Sequence, residues 1–215
     1  MATSTKAVQP GRKSSGGRAY HHGDLRAALI RAALELIDAH GVKGFTLKDA
    51  ARMAGVSIAA PYRHFADKNA LLDAISAEGF AQFDAALAEA YERKDDPTER
   101  IVELGVAYVG FALEHTAHFR VMFGAMGGDG DNSSKAVPQG IPEGATGFLL
   151  LVQGVKELIP EASEEVQRDL ILACWSLVHG FALLEIDGAF LTTVGRMDAE
   201  AQLRRTLSVI VAARQ

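Results

Sequence analysis

The chain has 215 residues, of which 48% are apolar, so it has enough material for one large domain or two modest ones and is not a disordered chain. Alanine and leucine dominate while β-branched and aromatic residues are sparse, which favours helix over sheet. The net charge of −5 hides an asymmetry: residues 1–68 hold eleven Lys/Arg against five Asp/Glu, and residues 69–215 hold eleven against twenty-two. A basic N-terminal third on an acidic body suits a chain that meets a polyanion at one end. A single cysteine, Cys174, excludes an internal disulfide and suits a reducing compartment; in its apolar run it reads as a small core residue. The longest apolar run, Ile171 to Leu184, contains His179 and falls short of the ~20 residues a span needs. With no apolar signal-peptide core at the N-terminus, the expectation is a cytosolic protein.

Residues 1–20 are rich in Ser, Gly and Lys/Arg and predict a flexible basic arm suited to DNA phosphates or a minor groove. From Asp24 to about His40 the residues Leu25, Leu29, Ala32 and Leu36 recur at helical spacing, with Asp24 placed to cap and Gly41 to stop. Thr46-Leu47-Lys48-Asp49 reads as a capping box opening a short helix that stops at Gly55. The stretch Ser57-Ile58-Ala59-Ala60-Pro61-Tyr62-Arg63-His64-Phe65 predicts a second short helix with a loosened first turn. Ser57 is the N-cap, and Pro61 deletes the bond to the Ser57 carbonyl. Asp67 caps a longer helix that runs to about Arg93, with Leu71, Leu72 and Ile75 on one face. Short helix, glycine turn, short helix is the helix-turn-helix order, whose second helix can enter a major groove.

Pro97 and Thr98 open a helix over roughly 98–114, followed by one over 116–126. Residues 127–142 hold four glycines and two prolines and predict a mobile loop. Helices are expected over about 143–159, 163–187 and 199–213. The chain is therefore expected to be all-α: a helix-turn-helix domain over 21–66 after the arm, then a helical domain over 67–215.

Residues 22–70 resemble the DNA-binding domain of TetR-type transcriptional regulators. The resemblance is carried by Gly41, Gly44-Phe45-Thr46, Ala50, Ala54-Gly55-Val56-Ser57, Tyr62, His64-Phe65 and Lys68. Trp175-x-x-x-His179-Gly180 and Tyr20–Leu25 resemble a subgroup named for its Trp-x-x-x-His-Gly (WHG) C-terminal domain. The resemblance implies a homodimer with one helix-turn-helix per subunit, and a C-terminal half that dimerises and binds a small molecule. It also implies that Thr46, Tyr62, His64 and Lys68 contact DNA phosphates. Base readout is then expected from Lys48 and from Ser57, Ile58, Ala59, Ala60 and Arg63. Ile58 and the alanines offer only apolar contact, so specificity should lean on few direct contacts and on DNA shape.

Candidates for the effector pocket among the helices of the second half are Phe111, Phe119, Met122, Phe123, Phe148, Trp175 and His179, each also readable as plain core. Gly180 is expected to let helices approach closely. The helices over 163–187 and 199–213 are expected to form a four-helix dimer interface. His115 and His118 stand at metal-holding spacing, but no Glu-x-x-His motif accompanies them and no carboxylate partner is obvious from the sequence. No metal, cofactor or catalytic residue is therefore assigned. The expected function is that of a ligand-responsive regulator, a repressor on a palindromic operator that an effector releases. The rival readings are a helical metal- or histidine-dependent enzyme and a ligand-binding adaptor without DNA.

Overall fold

The computed structural model describes residues 22–124 and 146–212. The expected arm, and the whole glycine-rich loop over 127–142 with the expected ends of its flanking helices, lie outside the described residues. Nine α-helices and one 3-10 turn make up the described chain, with no strand among these residues.

Helix α1 (His22–His40) buries Leu29, Ala33, Leu36 and Ile37 along one stripe. It begins at His22, so Asp24 lies within its first turn and not at the cap. Gly41 ends it at φ +76°, a left-handed conformation that costs glycine nothing, with its amide donating to the Ile37 carbonyl. Helix α2 (Leu47–Met53) starts on the expected capping box: the Asp49 amide donates to Thr46 Oγ1 at 3.3 Å, and the Thr46 amide donates to Asp49 Oδ2 at 2.9 Å. Its end is a Schellman closure, with Gly55 at φ +70°, its amide on the Arg52 carbonyl and the Val56 amide on the Ala51 carbonyl.

The next segment departs from expectation. Residues 57–64 contain no α-helix; the Ala60 amide donates to the Ser57 carbonyl, the Arg63 amide to the Ala60 carbonyl, and only Pro61–Arg63 form a 3-10 turn. The reason is Pro61. It has no amide to reach the Ser57 carbonyl, so the chain closes i→i−3 bonds around it. Ser57 supplies its carbonyl here, and no side-chain cap serves the 3-10 turn.

Helix α3 (Lys68–Glu92) is capped by Asp67, whose Oδ1 accepts from the Ala70 amide at 2.9 Å. Its buried residues Leu71, Ile75, Gly79, Phe83 and Leu87 step by four along about 37 Å of helix. Then come α4 (Pro97–Glu114), α5 (Thr116–Gly124), α6 (Thr146–Leu158), α7 (Glu164–Ile186), a short α8 (Ala189–Thr193) that sequence periodicity missed, and α9 (Ala199–Ala212). Helix α4 is central, packing against α3, α5, α6, α7 and α9. Arg204 of α9 grips Glu103 of α4 through two hydrogen bonds of 2.8 and 3.1 Å. By length and composition α7 is apolar enough to cross a membrane; only 28% of that stretch is buried, and it packs against α4, α6 and α9.

The described residues form three hydrophobic clusters. One joins α1, α2 and Phe65 to Leu71, Ile75, Ala117 and Val121. A second holds the aromatic residues of α3, α4, α5 and α7. A third gathers Ile101, Val155, Leu170, Cys174 and Val211, where burial pushes the Cys174 thiol up to about 11, as befits a core residue.

Candidate nucleic-acid interface and effector cluster

In the turn after α2 the buried side chains stand four apart. Pro61 is buried, Phe65 enters the first cluster at 3% exposure, and Tyr62 turns outward at 52%. Tyr62 is therefore not a core aromatic. Lys48, Ser57, Ile58, Ala59 and Arg63 are exposed beside it, while Ala60, His64 and Lys68 are partly covered. In a three-residue-per-turn path, residues three apart lie over one another, so Ser57, Ala60 and Arg63 share one edge. Neither Lys48 nor Arg63 is held in an ion pair among the described residues. Arg52 is held, by Asp49 at 2.8 Å.

Two of the expected phosphate residues are already engaged inside the protein. The Thr46 hydroxyl donates to Asp49 Oδ2 at 2.6 Å, so its proton goes to the capping carboxylate. Lys68 Nζ donates to the Phe45 carbonyl at 2.8 Å and lies 4.2 Å from the centre of the Phe45 ring. Burial lowers its pKa, and the contact ties the start of α3 to the loop before α2. One of its three ammonium protons is used there, which fixes the direction of the other two.

In the helical body, six of the seven pocket candidates come together. Phe111, Phe119, Met122, Phe123, Trp175 and His179 surround two residues that the sequence reading did not single out, Phe83 and Tyr108. Phe83 stands edge-on to Tyr108 at 5.0 Å and to Phe111 at 5.2 Å, and Phe119 lies 4.8 Å from Phe123. The Tyr108 hydroxyl and His179 Nδ1 are 2.8 Å apart, a polar pair set among rings. Burial pushes the Tyr108 phenol up, against a hydrogen bond with Trp175 that pulls it down, and burial lowers His179. At the edge of this cluster Trp175 also meets Phe148 edge to face at 5.5 Å, where α6 meets α7. The signal for Phe83 was present in the sequence: it continues the four-residue step from Leu71 and Ile75. Gly180 does not bring helices together within this chain, because a Cβ there would meet nothing within 4 Å.

Helix α5 has two working faces. Ala117 and Val121 belong to the cluster around α1 and α2, and Phe119 and Met122 belong to the aromatic one. Between them His118 is buried, its Nε2 without a hydrogen-bond partner and 3.8 Å from Glu78 of α3. Burial lowers its pKa, with Glu78 and Asp38 opposing and His115 assisting. The His115 and His118 ring centres are 6.1 Å apart, and no group of three possible metal ligands occurs among the described residues.

A basic, outward-facing turn on a small helical head, joined to a ring-lined helical body, defines a helix-turn-helix protein with a second, all-helical domain. Residues 29–75 match the family model described as bacterial regulatory proteins, tetR family, and residues 101–210 match that of the tetracyclin repressor-like C-terminal domain. The chain belongs to the TetR family of transcriptional regulators. It is 47% identical over 51 residues to the tetracycline repressor protein class C of Escherichia coli, a match covering 24% of this chain and 23% of that protein. A structure of a protein with unknown function from Rhodococcus sp. RHA1 superimposes with a TM-score of 0.73 at 31% identity, over 92% of this chain and 98% of that one. The regulator FadR from Bacillus subtilis, solved in complex with stearoyl-CoA, shares the fold with a TM-score of 0.67 at 17% identity, over 86% of this chain and 97% of its own.

Proposed function

We propose that this regulator is a cytoplasmic repressor, not an enzyme, that binds a palindromic operator as a homodimer and leaves it when a small molecule occupies the helical body. The observation that carries the reading is the double membership of α3 and α5. Each helix contributes residues to both the head cluster and the aromatic cluster, so a shift at one is felt at the other. On two-fold symmetric DNA the two heads must stand about one turn apart, ~34–36 Å. An effector that prefers a different spacing weakens DNA binding, and DNA weakens effector binding by the same factor.

Residues 1–20 act as the arm, 21–66 as the reading head and 67–215 as the body. The Trp175, His179 and Gly180 signature supports placing the body in the WHG subgroup. Tyr62, His64, Lys68 and Thr46 contact phosphates, with Thr46 turning away from Asp49 to do so. Lys48 and Arg63 donate to base edges, and Ser57, Ile58, Ala59 and Ala60 line the groove. The dimer is supported by apolar surface that one chain leaves uncovered: Leu172, Leu183 and Leu184 on α7 and Val209 on α9. Gly180 lies on that open side of α7, which makes room for a partner helix.

Selection from a random DNA pool tests the reading. An enriched inverted repeat, bound with steep salt dependence, is expected. Enrichment of no sequence, at low salt and without effector, ends it. Tyr62→Phe should weaken binding to every sequence alike; a changed preferred site contradicts its role as a phosphate contact.

A further inference from the structure

We propose that the effector is an uncharged, flat aromatic molecule with a single hydrogen-bond acceptor, seated against the rings of Phe123 and Trp175 with its acceptor on His179. The inference rests on the reading that the helical body binds an effector, and adds its chemical class.

The first support is where ring surface remains reachable. Phe83, Phe111 and Phe119 are sealed at 5% exposure or less, whereas Phe80, Phe123, Phe148, Trp175 and His179 are only half buried. Several contacts of these half-covered rings are edge to face, as in Phe80–Phe123 at 5.7 Å and Phe123–His179 at 5.1 Å. A flat ring adds contacts of that kind, while a flexible alkyl chain gains only from burying its apolar surface and loses rotational freedom.

The second support is charge. Among the described residues His118 is the one buried polar or charged side chain, and no lysine, arginine or carboxylate is buried. An ionic ligand group would be stripped of water with no counter-charge to meet it.

The third support is the proton arrangement at His179. The Tyr108 hydroxyl and His179 Nδ1 lie 2.8 Å apart. With the phenol as the donor of that pair, a neutral imidazole keeps its hydrogen on Nε2. We assign this tautomer, in which the second ring nitrogen is a donor that calls for an acceptor such as a carbonyl.

Trp175 is the one tryptophan of the chain, so its emission reports on this place and no other. The test titrates the full chain with four probes by calorimetry and tryptophan emission: 1-acetylnaphthalene, naphthalene, 1-naphthoate and decan-2-one. The expected result is that 1-acetylnaphthalene binds and alters Trp175 emission, naphthalene binds about tenfold more weakly, and the other two weaker still. His179→Phe should erase the tenfold advantage of the carbonyl while naphthalene still binds. Tyr108→Phe, which removes the proton directed at Nδ1, should reduce that advantage as well. Tighter binding of 1-naphthoate or decan-2-one, or no change in Trp175 emission with any probe, overturns the inference. If no operator is found while the ranking holds, the regulator reading fails and this one stands. If the operator is bound while no probe is, this one fails alone.

Discussion

Lys68 does two jobs at one atom. Its ammonium satisfies the Phe45 carbonyl and is proposed to meet a DNA phosphate as well, so Lys68→Met should be costly twice. Losing the hydrogen bond should lower stability by about 0.5–1.5 kcal/mol, read by urea unfolding. The loss of DNA affinity should come with a salt slope reduced by about one. His118 offers a different residue-scale test. Its folded-state pKa lies below the ordinary 6.5, so near and below that pH the unfolded chain holds more protons than the folded one. Stability should therefore be full above about pH 6.5 and fall as pH drops from there through the folded pKa, levelling off below it. His118→Phe should flatten part of that decline in unfolding midpoints taken at successive pH values; the rest belongs to His179, which is shifted in the same direction. An unchanged decline would show that His118 does not titrate in this way. At this scale the sequence was legible where a local motif speaks: Thr46 as a cap follows from the capping box, and Phe65 inward from its apolar ring at the end of the segment. The Lys68–Phe45 bond joins residues 23 apart, and the burial of His118 needs three helices, so no local pattern announced either.

Among the elements, α3 was the most legible and the segment after α2 the least. A four-residue step from Leu71 to Leu87 identifies a helix of any length, and Asp67 marks its start. In the segment after α2, the local rule that an N-cap serine opens a helix competed with the missing amide of Pro61, and the proline won. Short α8 has too few residues to show a period, and only Gly188 at φ +68° marks its start. Two glycines give contrasting tests. A Cβ at Gly44 would overlap the backbone oxygen of His40, which has nowhere to go, and Gly44→Ala should lose about 1–3 kcal/mol in thermal or urea unfolding. At Gly79 the clash is with the sulfur of Met122 at 2.6 Å, on a side chain that can swing aside. Gly79→Ala should leave unfolding nearly unchanged while repacking Met122 at the α3–α5 contact, altering operator affinity in a binding titration. Equal loss of stability in both variants would contradict this account.

At the scale of the whole molecule, charge and shape divide the labour. The basic third carries the outward turn, and the acidic body carries the rings and an uncovered α7. That asymmetry was readable from composition, and the helical character of the chain from its periodicity. The pairing of Tyr108 with His179 was not, because it joins residues 71 apart. Leu183→Glu on the open face of α7 should give a monomer by sedimentation that keeps its helical spectrum and loses high-affinity operator binding. A dimer that survives this change would move the interface elsewhere.

The shared membership of α3 and α5 also bears on modularity. The core beneath the reading turn is completed by Leu71 and Ile75 from one side and by Ala117 and Val121 from another. A head cut out at residue 66 would leave Leu29, Ile37 and Phe65 facing water. Transplanted onto a foreign body, it would fold only if that body offered the same four apolar side chains in the same places. The reading specificity of this chain is thus not a cartridge to be exchanged whole; it travels with a strip of the sensor that controls it.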